Sequence, residues 1–319
     1  MKVVVTDYTF PSLAQEEQAA RDGQADFAAH QCKTAEEVAE AVAGADVAVV
    51  QFAPFNKAAA AAINPGATVI RYGVGYDNID VGAASAYGLK VGYVPDYCAD
   101  EVADHTAAAA LTMLRKLPSL DASVRAGDWA AVKVCKPMKP FSQTRFGFFG
   151  LGQIGRAVLA RLAGFGFQFI AADPMLTPAE AKDLGVTLVD ADTLLRTADI
   201  VSLHAPATSQ TTGYFNAARL ATMQSHAIIV NSARGQLIVE DDMAAALAAG
   251  TIAGASLDVF GVEPLPASSP LRNAPNCLIT PHAAWYSEAA IDRLQGLVAQ
   301  DIGRALRGEG PRKPVPSTG

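Results

Sequence analysis

The chain has 319 residues, a formal charge of −7 and 50% apolar residues. A chain of this length can bury a large core, and the length predicts about two domains. Its 26 glycines and 18 prolines are ordinary usage, which excludes collagen-like and disordered proteins. The acidic balance argues against nucleic acid or an anionic membrane surface as the main partner.

The cysteines and the N-terminus predict a compartment. The four cysteines lie far apart, with neither the spacing of zinc ligands nor that of a disulfide framework. We therefore expect no metal and a reducing environment. The first residues reach Asp7 and Pro11 too soon for the apolar region of a secretory signal. No apolar run approaches the roughly 18 residues that span a bilayer. We expect a cytoplasmic protein.

The first third of the chain alternates strand-like and helix-like segments. Continuous apolar runs at residues 3–5, 47–50 and 68–70 predict strands that are covered on both faces. Residues 35–42 predict a helix, with Thr34 as its N-cap. Strands that alternate with helices in this way form parallel sheets.

The same alternation resumes after a long helix predicted over residues 101–116 and an irregular arm over residues 127–140. Further strands are predicted at 146–149, 167–171, 200–204, 227–231 and 255–258, with helices at 155–164, 190–196, 216–223 and 240–249. The chain therefore predicts an α/β fold with two doubly wound sheets. We expect the tail after Gly308 to be frayed, since it contains three prolines.

A glycine-rich turn follows the strand at 146–149 and opens an amphipathic helix. It reads G-x-G-x-x-G, with Gly150, Leu151, Gly152, Gln153, Ile154 and Gly155. In this context the first glycine permits the tight turn, the second allows close approach to a pyrophosphate, and the third lets helix and strand pack closely. The phosphates then lie at the positive end of the helix dipole. A methyltransferase with a similar loop is an alternative at this point.

Asp173 ends the next predicted strand, 18 residues after Gly155. A carboxylate at this position can accept hydrogen bonds from both ribose hydroxyls. Residues 174–176 contain no arginine or lysine that could pair with a 2′-phosphate. The pair of features therefore favours NAD over NADP.

Three segments of the second half carry polar residues with acid–base potential. They are Arg234 within residues 230–235, the carboxylates within 257–264, and His282 within 280–286. Each follows an apolar run that predicts a strand, and open α/β sheets bind ligands beyond the carboxyl ends of their strands. Taken alone, Arg234 is typical of a surface ion pair and Glu263 of a turn. Together they indicate proton transfer on an anionic substrate.

With these segments in this order, the chain resembles the NAD-dependent D-isomer-specific 2-hydroxyacid dehydrogenases, and most closely their C-terminal-binding-protein-like branch. The narrower likeness lies in the segments 71–80, 94–104 and 281–288. It implies two Rossmann-like or flavodoxin-like domains with a cleft between them. Residues 1–98 with 287–319 would form the substrate domain. Residues 99–286 would form the NAD-binding domain, with a helix and an arm that make a homodimer.

The resemblance also implies a mechanism. Arg234 would hold the carboxylate and carbonyl oxygen of a 2-oxo acid through charge-assisted hydrogen bonds. His282 would give its proton to that carbonyl oxygen as hydride from the nicotinamide reaches C2, and would act as a base in the reverse direction. Glu263 would bond the other imidazole nitrogen and favour the charged ring.

The remaining site residues follow from the resemblance as well. Besides the glycine-rich turn and Asp173, those expected at the cofactor are Val74, Thr106, His204, Ala205, Pro206, Ser232, Ala233 and Asp258. Those expected at the substrate are Phe52, Gly73, Val74, Gly75 and Trp285. The aromatic side chains favour a substrate with an apolar side chain of medium or large size over glyoxylate. We expect His105, on the long helix, to have a packing role.

A non-enzymatic function is the alternative. Animal members of the C-terminal-binding-protein-like branch are dimeric corepressors that bind NAD and recruit short peptides, and they keep the same three catalytic positions. The chain has no basic or disordered extension that indicates chromatin work. We therefore favour an enzyme that interconverts a 2-oxo acid and a D-2-hydroxy acid.

Overall fold

A computed structural model describes residues 1–316 of the protein. The chain divides into two compact units. The first unit joins Met1–Cys98 to the chain from Ser287 onward, and the second is Ala99–Tyr286. Within the described residues, no helix combines the length and the apolar character needed to cross a membrane.

Two parallel sheets form the centres of the two units. The strands of the first sheet are β1 Lys2–Val5, β2 Asp26–Ala29, β3 Val47–Val50, β4 Thr68–Arg71 and β5 Lys90–Tyr93. Those of the second are β6 Arg145–Phe149, β7 Gln168–Ala172, β8 Thr187–Leu188, β9 Ile200–Leu203, β10 Ile228–Asn231, β11 Gly254–Leu257 and β12 Cys277–Ile279.

Helices connect most of the consecutive strands. In chain order they are α1 Ala14–Asp22, α2 Ala35–Ala41, α3 Lys57–Ala62, α4 Val81–Ala86, α5 Ala99–Leu114, α6 Leu117–Arg125, α7 Ala131–Cys135, α8 Gln153–Leu162, α9 Pro178–Asp183, α10 Ala191–Thr197, α11 Ala217–Leu220, α12 Glu240–Ala249 and α13 Glu288–Leu306. The predicted cap of α2 is confirmed. The Thr34 hydroxyl accepts from the Glu37 N–H, and the Glu37 carboxylate accepts from the Thr34 N–H.

The strand orders confirm the predicted doubly wound α/β fold. The first sheet runs β2-β1-β3-β4-β5, which is the flavodoxin-like order. The second runs β12-β11-β10-β9-β6-β7-β8, with β6 and β9 as neighbours. The chain winds outward from β6 in one direction and then crosses to β9 and winds in the other. The turns after β6 and β9 therefore flank a topological switch point, where open α/β sheets bind their ligands.

The central strands explain why the sequence folds in this way. The side chains of β3, β9, β10 and β11 are all buried, since helices cover both faces of a parallel sheet. Short apolar runs rich in valine and isoleucine satisfy that requirement. The fully buried core of the second unit contains large side chains such as Phe146, Phe148 and Leu203.

Two predictions about irregular segments are wrong. The arm over residues 127–140, predicted to be irregular, contains α7. Helix α6 precedes it, and Pro118 lies in the first turn of α6, where a missing N–H costs nothing. The tail beyond Gly308 is not frayed over residues 309–316. The Tyr93 N–H donates to the Lys313 carbonyl, and the Val315 N–H donates to that of Val91. Residues 317–319 lie outside the described part of the chain.

Candidate functional site

Most of the predicted cofactor and acid–base residues of the second unit lie at one edge of its sheet. Gly150, Asp173 and His204 follow the carboxyl ends of β6, β7 and β9. Arg234 and Asp258 follow those of β10 and β11. Because all seven strands are parallel, their carboxyl ends meet at the same edge.

Each glycine of the G-x-G-x-x-G turn has a distinct environment. Gly150 has φ +87°, and a Cβ there would lie 2.9 Å from the backbone nitrogen of Ala205. A Cβ on Gly155 would lie 3.1 Å from the carbonyl oxygen of Gly150. By contrast, nothing lies within 4 Å of a Cβ on Gly152, where α8 begins. The turn thus presents an open cradle at a helix N-terminus, which fits a dinucleotide pyrophosphate.

Asp173 ties the glycine-rich turn to the loop after β7. Its Oδ2 accepts from the Leu151 N–H at 2.7 Å, and its Oδ1 accepts from the Met175 N–H at 2.8 Å. An ionised carboxylate has about four acceptor positions, so two remain in principle for ribose hydroxyls. The carboxylate is therefore held in a fixed orientation beside the cradle.

His204 lies in the turn after β9, the second of the two turns that flank the switch point. The residue is half-buried, and burial of the ring lowers its pKa to about 4. Its Nε2 lies 2.8 Å from the Ser202 hydroxyl. The imidazole is therefore neutral near neutral pH. Ala205 and Pro206 continue the loop beside Gly150, and the cofactor contacts of His204, Ala205 and Pro206 stay predictions.

Glu263 and His282 form a close pair. Oε2 of Glu263 lies 2.7 Å from Nδ1 of His282, and Oε1 accepts from the Phe260 N–H at 2.9 Å. Burial raises the pKa of Glu263, but the hydrogen bond and charge of His282 outweigh it, and the net pKa is lowered. His282 has φ +52°, an uncommon backbone conformation that is often found at functional sites.

The segment that carries His282 is fastened to Asp258, whose side chain is only 2% exposed. The Asp258 Oδ1 accepts from the Thr280 hydroxyl at 2.6 Å and the Ala283 N–H at 2.9 Å, and Oδ2 accepts from the Ala284 N–H at 2.9 Å. The His282 N–H donates to the Asp258 carbonyl at 2.8 Å. Asp258 therefore sets the position of the His282 backbone, a role that sequence reasoning did not assign.

His105 also contributes to this cluster. Its Nε2 lies 3.4 Å from the Thr280 hydroxyl and 3.9 Å from Asp258 Oδ1. His105 therefore makes a polar contact with residues that follow β11 and β12, which the predicted packing role did not include. Nothing in the local sequence of the long helix signals it, because the contact depends on how α5 crosses the sheet.

Asn231, the last residue of β10, holds the turn that carries Arg234. Its side-chain amide donates to the Arg234 carbonyl at 2.8 Å and accepts from the Ala233 N–H at 3.0 Å. The guanidinium Nη1 of Arg234 donates to the Ala233 carbonyl at 2.6 Å. The turn is therefore stiff, because the strand ends in an asparagine whose side chain holds both Ala233 and Arg234. A buried polar residue at the end of an apolar strand is the signal that could have revealed Asn231.

In the first unit, the predicted substrate residues lie beside an arginine that was not predicted. The Arg71 side chain donates to the Tyr72 carbonyl, and a Cβ on Gly73 (φ +127°) would collide with Arg71 Nη1. The Arg71 guanidinium carbon lies 5.9 Å from the centre of the Phe52 ring. Val74 and Gly75 continue the same loop and are partly exposed.

Two other predicted residues have more enclosed environments. Thr106 is fully buried, and its hydroxyl donates to the Val102 carbonyl at 2.7 Å. The hydroxyl proton of Thr106 is therefore already engaged in a hydrogen bond within α5. A cofactor contact through Thr106 stays a prediction. Trp285 is partly buried and packs edge-on against Tyr286, with ring centres 5.8 Å apart. The described residues contain no group of three or more His, Cys, Asp or Glu suited to a metal ion.

Comparison with known proteins decides the family. Residues 107–284 match the NAD binding domain of the D-isomer specific 2-hydroxyacid dehydrogenases. The chain belongs to this family. The glyoxylate reductase of Korarchaeum cryptofilum is 36% identical over 247 residues, which cover 76% of this chain and 74% of the reductase. The family prediction is confirmed, while the narrower likeness to the C-terminal-binding-protein-like branch stays a prediction.

Two further similar proteins extend the comparison. The D-3-phosphoglycerate dehydrogenase of Mycobacterium tuberculosis is 38% identical over 270 residues, which cover 84% of this chain and 51% of that enzyme. The chain thus spans about half the length of the phosphoglycerate dehydrogenases that it matches. The crystal structure of the TT0316 protein from Thermus thermophilus superposes with a TM-score of 0.86 at 29% identity, over 99% of this chain and 100% of the other.

Proposed function

We propose that the protein interconverts a 2-oxo acid and a D-2-hydroxy acid with NAD(H). The observation that carries this proposal is the 2.7 Å contact between Glu263 and Nδ1 of His282 at the strand edge that also bears Arg234. A carboxylate that accepts from Nδ1 fixes the orientation of the ring and places the proton on Nδ1. Nε2 is then the nitrogen that exchanges a proton with substrate.

In this proposal each residue has one task. Arg234 binds the substrate carboxylate with its planar guanidinium, on a turn that Asn231 keeps stiff. Charged His282 donates a proton to the carbonyl oxygen during reduction, and neutral His282 accepts it during oxidation. Glu263 holds the His282 ring in orientation through Nδ1. Asp258 keeps the His282 backbone in place through its three hydrogen bonds to residues 280–284.

The residues that would hold NAD are those of the switch point. The Gly150–Gly155 turn would bind the pyrophosphate, and Asp173 the ribose. Ala205 and Pro206 would border the adenosine half, and Ser232 and Ala233 the nicotinamide half. When bound, NAD(H) supplies or accepts the hydride at C2 of the substrate. We propose NAD rather than NADP because a carboxylate, with no cation in 174–176, faces the ribose position.

We propose a substrate with an apolar side chain of medium or large size. Phe52 supports this, since its ring is 47% exposed near the Gly73 loop. The names of the relatives keep two other classes in view, a phosphorylated hydroxy acid and glyoxylate. Arg71, beside Gly73, adds a positive charge that would suit an anionic substrate group.

The test is NADH oxidation with a graded panel of 2-oxo acids, from glyoxylate through branched and aromatic side chains to a phosphorylated one. His282→Ala should lower kcat by about 10²–10⁴ and leave NADH binding intact. His30→Ala, at an exposed position of the first unit, is the matched control. NADPH, measured beside NADH, tests the role of Asp173. Tight NADH binding without turnover of any acid would instead favour the NAD-sensing scaffold.

We further propose a homodimer formed through α5 and the segment that follows it, from α6 through the arm. This segment exposes apolar side chains that a partner subunit would cover: Leu117, Val124, Trp129 and Val132, with Trp129 93% exposed. Light scattering should give twice the chain mass, and Trp129→Ser with Val132→Ser should shift the protein toward monomer. A wild-type protein of single-chain mass contradicts this.

We also propose a cytoplasmic location. All four cysteines are free thiols, which is typical of proteins kept in a reducing compartment. Fractionation of the source cells, with the protein detected by antibody, tests the location.

A further inference from the structure

A buried aspartate and an asparagine hold one turn of the first unit from its two sides. The turn is Gln51–Ala53, which follows β3 and carries Phe52. Asp7, which is 6% exposed, accepts from the three consecutive backbone N–H groups of this turn, at 3.0, 2.6 and 3.0 Å. The side-chain amide of Asn78 donates to the Gln51 carbonyl at 3.3 Å and to the Ala53 carbonyl at 2.9 Å.

The same contacts link two predicted parts of the substrate site. Asn78 follows the Gly73–Gly75 loop, and its carbonyl accepts from the Phe55 N–H at 2.8 Å. Five side-chain hydrogen bonds therefore connect the Phe52 turn with the end of β1 and with the loop that contains Gly73. Consecutive N–H groups that point at one carboxylate leave the turn little freedom to rotate.

We propose that Asp7 and Asn78 are positioning residues that determine which substrate side chains the enzyme accepts. Neither residue needs to touch the substrate. By fixing Gln51–Ala53 they fix the direction of the Phe52 ring, and thereby the space left for the group attached to C2. This inference rests on the proposed function. It goes beyond the assignment of Phe52 itself, because it places the control of selectivity on two residues behind the turn.

Asp7→Asn is the sharpest perturbation. Asp7 Oδ2 accepts from both Phe52 and Ala53, while Oδ1 accepts from Gln51 and the Thr6 hydroxyl. An amide nitrogen in either place faces at least one N–H donor, so the turn must shift. Asn78→Ala removes the support of the two carbonyls without changing the charge.

The matched control is Asp46→Asn. Asp46 also belongs to the first unit and lies at the opposite end of β3. It accepts from the Lys2 N–H at 2.7 Å and from the Asn64 amide at 2.9 Å. Its replacement therefore removes a similar structural support from the same sheet without contact with Gln51–Ala53.

The experiment measures kcat/KM for glyoxylate and for a bulky 2-oxo acid, and takes their ratio. A merely structural role lowers both values together, whereas a positioning role changes the ratio. We expect each variant to change the ratio by about tenfold, and the double variant to change it by less than the product of the two. Asp46→Asn should leave the ratio unchanged. Hydrogen exchange should show faster exchange of the Phe52 and Ala53 amides in Asp7→Asn only.

The outcomes separate the two proposals. A wild-type protein that reduces no 2-oxo acid overturns the proposed function, and this inference with it. An active wild type whose ratio is the same in Asp7→Asn and Asn78→Ala overturns this inference alone. An equal change of ratio in Asp46→Asn also overturns it, because the effect would then follow from general loosening of the unit.

Discussion

Replacing Glu263 by glutamine should expose how much the carboxylate contributes to proton transfer. In the wild type, Oε2 faces Nδ1 of His282 and Oε1 accepts from the Phe260 N–H. A glutamine has only one acceptor oxygen. If that oxygen stays with Phe260, its NH₂ group faces Nδ1, which must then lose its proton and become an acceptor. If the oxygen turns to His282, the NH₂ group meets the Phe260 N–H. The first arrangement removes the proton from Nδ1 and so disfavours the charged ring, and the second loses the contact with Phe260.

The size of the effect follows from the geometry. Hydrogen bonds to charged groups contribute about 1.5–3 kcal/mol. The side chains of His282 and Glu263 are 34% and 31% exposed. Water screens partly exposed pairs and reduces their interaction from this range to about 1–2 kcal/mol. If this energy stabilises the transition state, kcat falls roughly 5- to 30-fold.

The assay is steady-state reduction of the best 2-oxo acid, with NADH affinity measured separately by fluorescence. Glu240→Gln is the matched control, since Glu240 Oε1 accepts from the Gly261 N–H at 2.7 Å in the same turn but has no contact with His282. We expect kcat to fall in Glu263→Gln and not in Glu240→Gln. Equal losses in both variants, or an unchanged kcat in Glu263→Gln, would refute the reasoning.

Three further predictions concern the second unit. Gly152→Ala should leave the melting temperature unchanged, because its Cβ meets no atom within 4 Å. It should weaken NADH binding about tenfold or more, because the methyl group fills the phosphate cradle. A lower melting temperature of the variant would contradict this. Asp258→Asn leaves at least one buried donor without an acceptor, which costs about 1–3 kcal/mol of stability. The melting temperature should fall by roughly 2–4 °C per kcal/mol, and an unchanged melting temperature in calorimetry would rule this prediction out. Burial raises the pKa of Asp199, but hydrogen bonds from Lys139, the Arg145 N–H and His226 lower it overall. A group whose pKa is lower in the folded state than in the unfolded state stabilises the fold at pH values above its unfolded pKa. This stabilisation is lost as the pH falls through the folded-state pKa. The urea midpoint should therefore drop more steeply on acidification in the wild type than in Asp199→Asn, and parallel curves would exclude the effect.

The strands that sequence reasoning did not predict share a position in the fold. No strand bounds were predicted for β2, β5, β8 and β12. All four are edge strands, and their side chains are mostly exposed or half-buried. A central strand is covered on both faces and needs a continuous apolar run, which is visible in the sequence. An edge strand is covered less completely and can be short and polar. The sequence signal is therefore strongest for the central strands, among them β6, β10 and β11, which precede the glycine-rich turn, Arg234 and Asp258.

The candidate site was predictable in part for a similar reason. The G-x-G-x-x-G turn and Asp173 depend on local order along the chain, so their spacing could be seen directly. The hydrogen bonds that Asp258 accepts from residues 280–284 depend on which strand lies beside β11. No local pattern contains that information, because it arises only when the sheet assembles.

Asp7, Asp173 and Asp258 follow one physical rule. They come one or two residues after β1, β7 and β11, and each accepts backbone N–H groups from the turn after an adjacent strand, β3, β6 or β12. Where a parallel ladder ends, the next N–H groups lose their strand partners. A carboxylate at the end of the neighbouring strand, about 4.8 Å away, can accept them. Each of the three turns carries predicted site residues. The carboxylates that accept the unpaired N–H groups at the end of the sheet therefore also make the ligand-binding turns rigid. Once the strand order is known, it assigns each aspartate to its turn.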